Sequence, residues 1–275
     1  MYADLHIHSD FSDGIYSPDE ILKRAEKAGL KKIAITDHDN FSGSLEANKI
    51  LKISNLELDL VPGVEFSCTE GIDEYHIIGL FVEFDNEKIK TLISRMQNKR
   101  FAAVKKIINY LQFKEINISM EDVASKSKGS IGRPHIALEL VEKKYAKNVN
   151  DAFNKYLSNK ILKNIKEPRM SVFEAINTIK ESKGISIWAH PDILKKTFQR
   201  TISSFKKLGL CGVEIHSPRY GLNRQEELLK TCKKLDLLVS GGSDFHGLHE
   251  GIEISKTNAI TQTEYESLLE RKNSL

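Results

Sequence analysis

The sequence predicts an α/β fold, a parallel sheet either open or closed into a barrel, with a helical insertion. Three observations lead there. Short apolar runs alternate with segments of helical periodicity, as in chains built from βα units. The stretch from Asn86 to Glu167 breaks that rhythm and carries no β run. Histidines and carboxylates gather at the ends of the apolar runs, where such folds bind ligands. At 275 residues and 40% hydrophobic content, the chain can bury a sizeable core.

In chain order, "YADLHIH" is a strand and "SPDEILKRAEKAGL" a helix. Ser17 is its N-cap, Pro18 its first residue, Glu20 completes a capping box and Gly29 ends it. "KKIAITDHD" is the second strand, "SGSLEANKILKI" a helix, "LDLVPGVEFSC" a third strand and "YHIIGLFVEF" a fourth, with alternating character. The lysine-rich insertion follows. In it, "RMQNKRFAAVKKIINYLQ" sets Met96, Phe101, Val104, Ile107, Ile108 and Leu111 on one helical face. "GISIWAHP", "CGVEIHS" and "LLVSGGSDFH" are later strands, separated by helical stretches at 172–182, 199–208 and 223–235. A helix closes the chain from Thr261 to Leu275. Residues 1–85 and 168–275 are thus expected to form one domain and 86–167 a helical insertion over it.

Composition narrows the function. A net charge of +3 is too weak to argue for nucleic-acid binding and suits an anionic small molecule equally well. Cys68, Cys211 and Cys232 are odd in number and lack CxxC spacing, which points to reduced thiols and a cytoplasmic protein. No leader is evident, and no run approaches the roughly 18 apolar residues of a membrane span.

The chemistry lies in one set of residues. His6 and His8 stand two apart on a strand and face the same side. Asp13 precedes a glycine turn, His38 follows "IAIT", Glu65 follows "LVPGV" and His76 opens "HIIGLF". His190 follows "SIWA", and Asp244 and His246 follow "LVSGGS". Singly, several have plainer readings: a His-x-His is often structural, and Asp13 is an ordinary turn residue. Together they offer six imidazoles and three carboxylates. Crowded carboxylates repel one another, and divalent cations relieve that repulsion. One tetrahedral ion takes about four ligands, so this set suggests two or three ions with bridging carboxylates. Two ions about 3.5–4 Å apart can clamp both oxygens of a displacement at phosphorus. Gly241 and Gly242 would let the backbone pass closely beneath Asp244.

"DLHIHSDFSDG", "AITDHD", "GVEFS", "YHIIG", "AHP" and "SGGSDFH", in this order, resemble the motifs of the polymerase-and-histidinol-phosphatase (PHP) family. The resemblance spans nearly the whole chain. It implies a distorted (β/α)7 barrel with a trinuclear metal centre on its C-terminal rim. The implied ligands are His6, His8, Asp13, His38, Glu65, His76, His190, Asp244 and His246. The ions would be divalent, about three per chain, manganese first and iron or zinc as alternatives. The insertion, with "IGRPHIA" inside it, resembles that of the subgroup acting on nucleoside 3′,5′-bisphosphates and short RNA ends. One stretch departs from that subgroup. Its G-K/R-P-x-Y-V after "YL" is replaced by "SNKILKNIKEPR", with Ile161 at the basic position and Lys160 or Lys163 as stand-ins.

The expected activity is metal-dependent hydrolysis of a phosphate ester, by in-line attack of hydroxide that the ions supply. Asp244 or His190 would protonate the departing alkoxide. Arg133, His135 and Arg219 are the expected substrate contacts, because an arginine fork matches phosphate oxygens. Arg133 and His135 also read as caps of a helix. His216 is an accessory rim residue, and His249 a solvated one. The expected partner is a phosphorylated small molecule, a nucleotide first, then short RNA, with no membrane. Two rivals stand beside this reading: another phosphomonoesterase, such as a histidinol-phosphate phosphatase, and a non-catalytic regulatory module. The second should have lost ligands, and this chain keeps all nine.

Overall fold

The computed structural model describes residues 2–71, 73–162, 165, 169–192, 197–248 and 251–275. Lys163 and His249 lie outside them. Strand β1 (Tyr2–Ile7) leads to α1 (Pro18–Lys27), capped as the sequence predicts: Ser17 and Glu20 form the capping box, and Gly29 takes φ +72°. Next come β2 (Lys32–Ile35), α2 (Ser42–Ile53), β3 (Asp59–Leu60), β4 (Gly63–Glu70) and β5 (Asp73–Leu80). The apolar run expected as one strand is therefore two. Pro62 has no N–H for a ladder, and the break sends the halves to different sheets.

The expected parallel order also fails at β5, which pairs antiparallel with both β4 and β6 (Ile185–Trp188). Glu70 pairs with Asp73, and so short a link, with Gly71 at φ +62°, can join only antiparallel strands. Beyond β6, α8 (Phe198–Lys207), β7 (Gly212–His216), α9 (Leu222–Leu235) and β8 (Leu238–Gly241) continue the parallel pattern. A short β9 (Ile260–Thr261) and α10 (Gln262–Asn273) close the described chain. The strands form two sheets, β3-β2-β1-β9 and β4-β5-β6-β7-β8, rather than one closed barrel. Single bridges join them, His38 to Glu65 and Ile7 to Phe245. The first joins two predicted ligands and the second lies between His6 and His8 on one side and Asp244 and His246 on the other, so the seams between the sheets run through the site. The three cysteines are free and buried, and no described helix is long and apolar enough to cross a membrane.

Between β5 and β6 lie α3 (Glu87–Phe113), α4 (Met120–Ala124), α5 (Arg133–Glu142), α6 (Val149–Ala152), a π-helical turn (Phe153–Leu157) and α7 (Val172–Glu181). The long α3 serves two cores. Ile89, Leu92, Ile93 and Met96 pack with the second sheet, whereas Val104, Ile107, Ile108 and Leu111 join a separate cluster with Ile136, Leu140 and Leu157. Phe101, expected on that buried face, is 49% exposed.

Candidate metal centre

Strand β1 and the turn after it, the loop after β2, the faces of β4 and β5, and the segments after β6 and β8 deliver the nine side chains to one place. They form four overlapping groups: His8, Asp13, His38 and His246; His6, His8 and Asp244; His6, Glu65 and His190; His38, Glu65 and His76. Within each group, the candidate donor atoms lie within 4.8 Å of one another. Glu65 and His76 reach it from inside strands rather than from strand ends, because β5 runs antiparallel and Ser67 pairs with His76.

Glu65 is at the centre. Its Oε1 lies 3.1 Å from His76 Nδ1, 3.3 Å from His190 Nε2 and 3.4 Å from His6 Nε2. Its Oε2 lies 2.8 Å from His38 Nδ1 and 3.3 Å from His8 Nε2. Although His38 Nδ1 and Glu65 Oε2 are that close, neither makes an aligned hydrogen bond. His6 and His8 also turn their Nε2 atoms toward each other at 3.1 Å, and His76 Nδ1 meets His190 Nε2 at 3.3 Å. Imidazole nitrogens and carboxylate oxygens this crowded, with His38 Nδ1 and Glu65 Oε2 left without a hydrogen bond, suit a cation as their common partner. The donor set fits divalent metal.

The electrostatics agree. Burial opposes ionisation of Asp13, Glu65 and Asp244, yet the surrounding imidazoles overcome it and hold all three well below the usual carboxylate range. Burial pushes His38 down to about 4 and lowers His76. For His6 and His246 burial acts the same way but loses to neighbouring carboxylates, Glu214 first at His6 and Asp13 first at His246; His6 is raised and His246 reaches about 9. The protein thus holds anionic carboxylates amid imidazoles of mixed charge, a balance that cations would reset.

Several supporting residues were missed in the sequence. Glu214, buried on β7, accepts the Nδ1–H of His6 at 3.1 Å and the backbone N–H of His190 at 2.8 Å through one oxygen. A carboxylate can only accept, so His6 keeps a hydrogen on Nδ1 and turns Nε2 toward the cluster, the nitrogen that would face a metal ion. The second bond also holds His190 at φ +32°. Asp37 accepts from Ser9 N–H, Ser9 Oγ and Ser12 Oγ at 2.6–2.8 Å, fixing the turn that carries Asp13. Asp4 accepts from the backbone N–H of His6 and Ser243 and is pushed by burial up to about 6. The two glycines do permit a close approach, but to neighbouring strands rather than beneath Asp244: a Cβ on Gly242 would collide with His6, and one on Gly241 with His216.

The expected substrate contacts divide. Arg219 donates to Asp244 Oδ2 at 2.7 Å and lines a cleft of about 540 Å³ with His76 and His190. His135 is buried, with both ring nitrogens taken. The Gly132 N–H donates to Nδ1 at 3.0 Å, and Nε2 donates to the Ser12 carbonyl at 2.7 Å. It ties α5 to the Asp13 turn. Arg133 lines a second cavity of about 590 Å³, together with Arg100 and Arg169 over apolar walls from Met96, Val104 and Ile107. Glu74 and Asn159 line both spaces. His216 turns from the cluster to Glu264 of α10, 2.8 Å away.

Known proteins align with this chain almost end to end. The sequence pattern of the PHP domain matches residues 4–166. The 5′-3′ exoribonuclease of Haemophilus influenzae is 31% identical over 256 residues, 92% of this chain and 93% of that protein. The 3′,5′-nucleoside bisphosphate phosphatase of Chromobacterium violaceum is 27% identical over 253 residues, 90% of this chain and 88% of that protein. Among solved structures, one from Bifidobacterium adolescentis, proposed to be a metal-dependent phosphoesterase, superposes with a TM-score of 0.89 at 28% identity, covering 98% of this chain and 96% of that one.

Proposed function

The chain belongs to the PHP family and is a metal-dependent hydrolase of phosphate esters, and on that premise we propose that it removes the 3′-phosphate of nucleoside 3′,5′-bisphosphates or acts at short RNA 5′ ends. The observation that carries this reading is the pairing of the nine-donor cluster with a neighbouring arginine-lined cavity. All nine side chains serve as ligands to about three divalent ions, manganese first, iron or zinc as alternatives. Bound there, the ions supply Lewis acidity toward phosphoryl oxygens and lower the pKa of water. The 86–167 insertion then covers the site where the two sheets meet.

The protein's own groups orient the substrate. Arg219, held by Asp244, faces the cleft beside His76 and His190 and suits the scissile phosphate. Of the two candidate proton donors, His190 lines that cleft, whereas Asp244 is committed to Arg219 and to His6 and His8. His190 turns Nε2 to Glu65 and His76, so leaving-group protonation would fall to its Nδ1–H. The apolar walls suit a nucleoside, and Arg133 with Arg169 suits its second phosphate. That cavity disfavours the histidinol-phosphate reading, because an amine would meet guanidinium groups. Arg133→Ala should lower kcat/KM for a 3′,5′-bisphosphate by about 2 kcal/mol, about thirtyfold, and spare an aryl monophosphate. Equal losses on both substrates would remove the remote-phosphate role.

A further inference from the structure

The arginine that suits a second phosphate is already occupied. Arg133 donates through one terminal nitrogen to Asn159 Oδ1 at 2.6 Å and through the other to Glu74 Oε2 at 3.3 Å. Both prongs of its fork are in use, so an incoming phosphate must displace a partner. Glu74 is the only carboxylate among the described residues lining this cavity. It sits on β5 two positions before His76, so the two side chains leave the same face of the strand, one toward the cavity and one toward the metal cluster. Glu74 and Asn159 line both the cavity and the cleft, which makes the Glu74–Arg133–Asn159 chain a partition between them.

Resting on the reading above, we propose that Glu74 is a specificity-determining residue: its carboxylate occupies the seat of the substrate's remote anion and is exchanged for that anion on binding.

The other cations of the cavity support this. Arg100 is spent on Asp39 Oδ2 at 2.5 Å and Ser67 Oγ at 2.7 Å. Arg169 is brought down to about 10 by burial and by Arg100, with Glu74 and Asp39 opposing. Positive charge thus exceeds what these acids neutralise, and Glu74 is the acid that touches Arg133. A carboxylate offers a guanidinium the same pair of acceptor oxygens as a phosphate, with less charge. A dianionic phosphate outcompetes it, and a ligand without an anion there does not. The carboxylate that remains nearby repels the newcomer, so the seat is weaker than its arginines alone would make it.

The test uses the metal-loaded protein and calorimetric titration with a nucleoside 5′-monophosphate and with the unphosphorylated nucleoside. Glu74→Gln should tighten the monophosphate about five- to tenfold, the size of one partly buried charge interaction. It should leave the nucleoside unchanged, and the gain should vanish in the Glu74→Gln, Arg133→Ala double variant. Glu74→Ala, as a second variant, should shift affinity in the same direction. Unchanged or weakened monophosphate binding in both variants makes Glu74 a brace for Arg133 and overturns the proposal. If the wild type hydrolyses no bisphosphate yet the titrations behave as stated, the reaction is misassigned and the anion seat stands. No binding of the monophosphate to wild type or variants overturns both.

Discussion

Changing Glu214 to glutamine perturbs the metal centre without touching a ligand. In the native protein one carboxylate oxygen takes both the His6 Nδ1–H and the His190 N–H, and the residue is buried. An amide oxygen can still accept both, so shape and bond count persist and the charge is lost. Hydrogen bonds to a charged group contribute about 1.5–3 kcal/mol against about 0.5–1.5 for neutral ones. Exchanging two such bonds, with some relaxation of the ring, removes about 2 kcal/mol of ligand preorganisation, about thirtyfold in cation affinity. Loss of a negative charge beside the cluster acts in the same direction. The assay is competition for metal against a chelator of known affinity, with melting of the metal-free protein as the control for folding. Glu214→Ala, which strands the His190 N–H, should lose more affinity than the amide. If both variants bind metal within about twofold of wild type, the carboxylate orients nothing and the reasoning fails.

Two further predictions follow from the same geometry. Asp244→Asn should cut turnover at least about a hundredfold, roughly 2.7 kcal/mol of transition-state stabilisation, and near-normal turnover at full metal loading would show that Asp244 has no essential role. The His216–Glu264 pair should make stability depend on pH: the hydrogen bond that His216 donates to Glu264 raises the histidine above 6.5, while Glu264, despite burial, is held near 2 by His216. The histidine's contribution is complete below pH about 6.5 and lost as pH rises through its folded value; the glutamate's is complete above pH about 4.5 and lost as pH falls toward 2. Because both groups are partly exposed, the pair contributes under about 1 kcal/mol. The melting-temperature gap between wild type and His216→Asn should therefore be about one to three degrees at pH 5.5–6 and shrink at pH 9. A gap independent of pH would refute the ion pair.

Local chemistry was the most legible part of the chain. The α1 caps follow from Ser17, Pro18 and Glu20 because capping involves residues three apart, and the convergence of nine ligand-type residues follows from their positions relative to apolar runs. Pairing was less legible. The break at Pro62 was written in the sequence, but the apolar run around it hid the change of sheet. The turn at Gly71 carried the signal for an antiparallel β5. Glu214 was passed over in favour of His216, since both lie two apart on one strand. A register irregularity between them sends Glu214 to the cluster and His216 to α10. An acid inside an apolar strand was the available clue, because a buried carboxylate requires partners. The use of His135 Nε2 depends on a contact with Ser12, more than a hundred residues away, which no local pattern records.

The converging side chains are proposed to hold a multinuclear cation site that hydrolyses phosphate esters. Elemental analysis of manganese-reconstituted protein, paired with phosphate release from a nucleoside 3′,5′-bisphosphate on the same preparation, tests it most directly. About three ions per chain are expected, with hydrolysis rising as they load and disappearing on chelation. One ion or fewer after reconstitution, or hydrolysis that persists when the metal is gone, would contradict it.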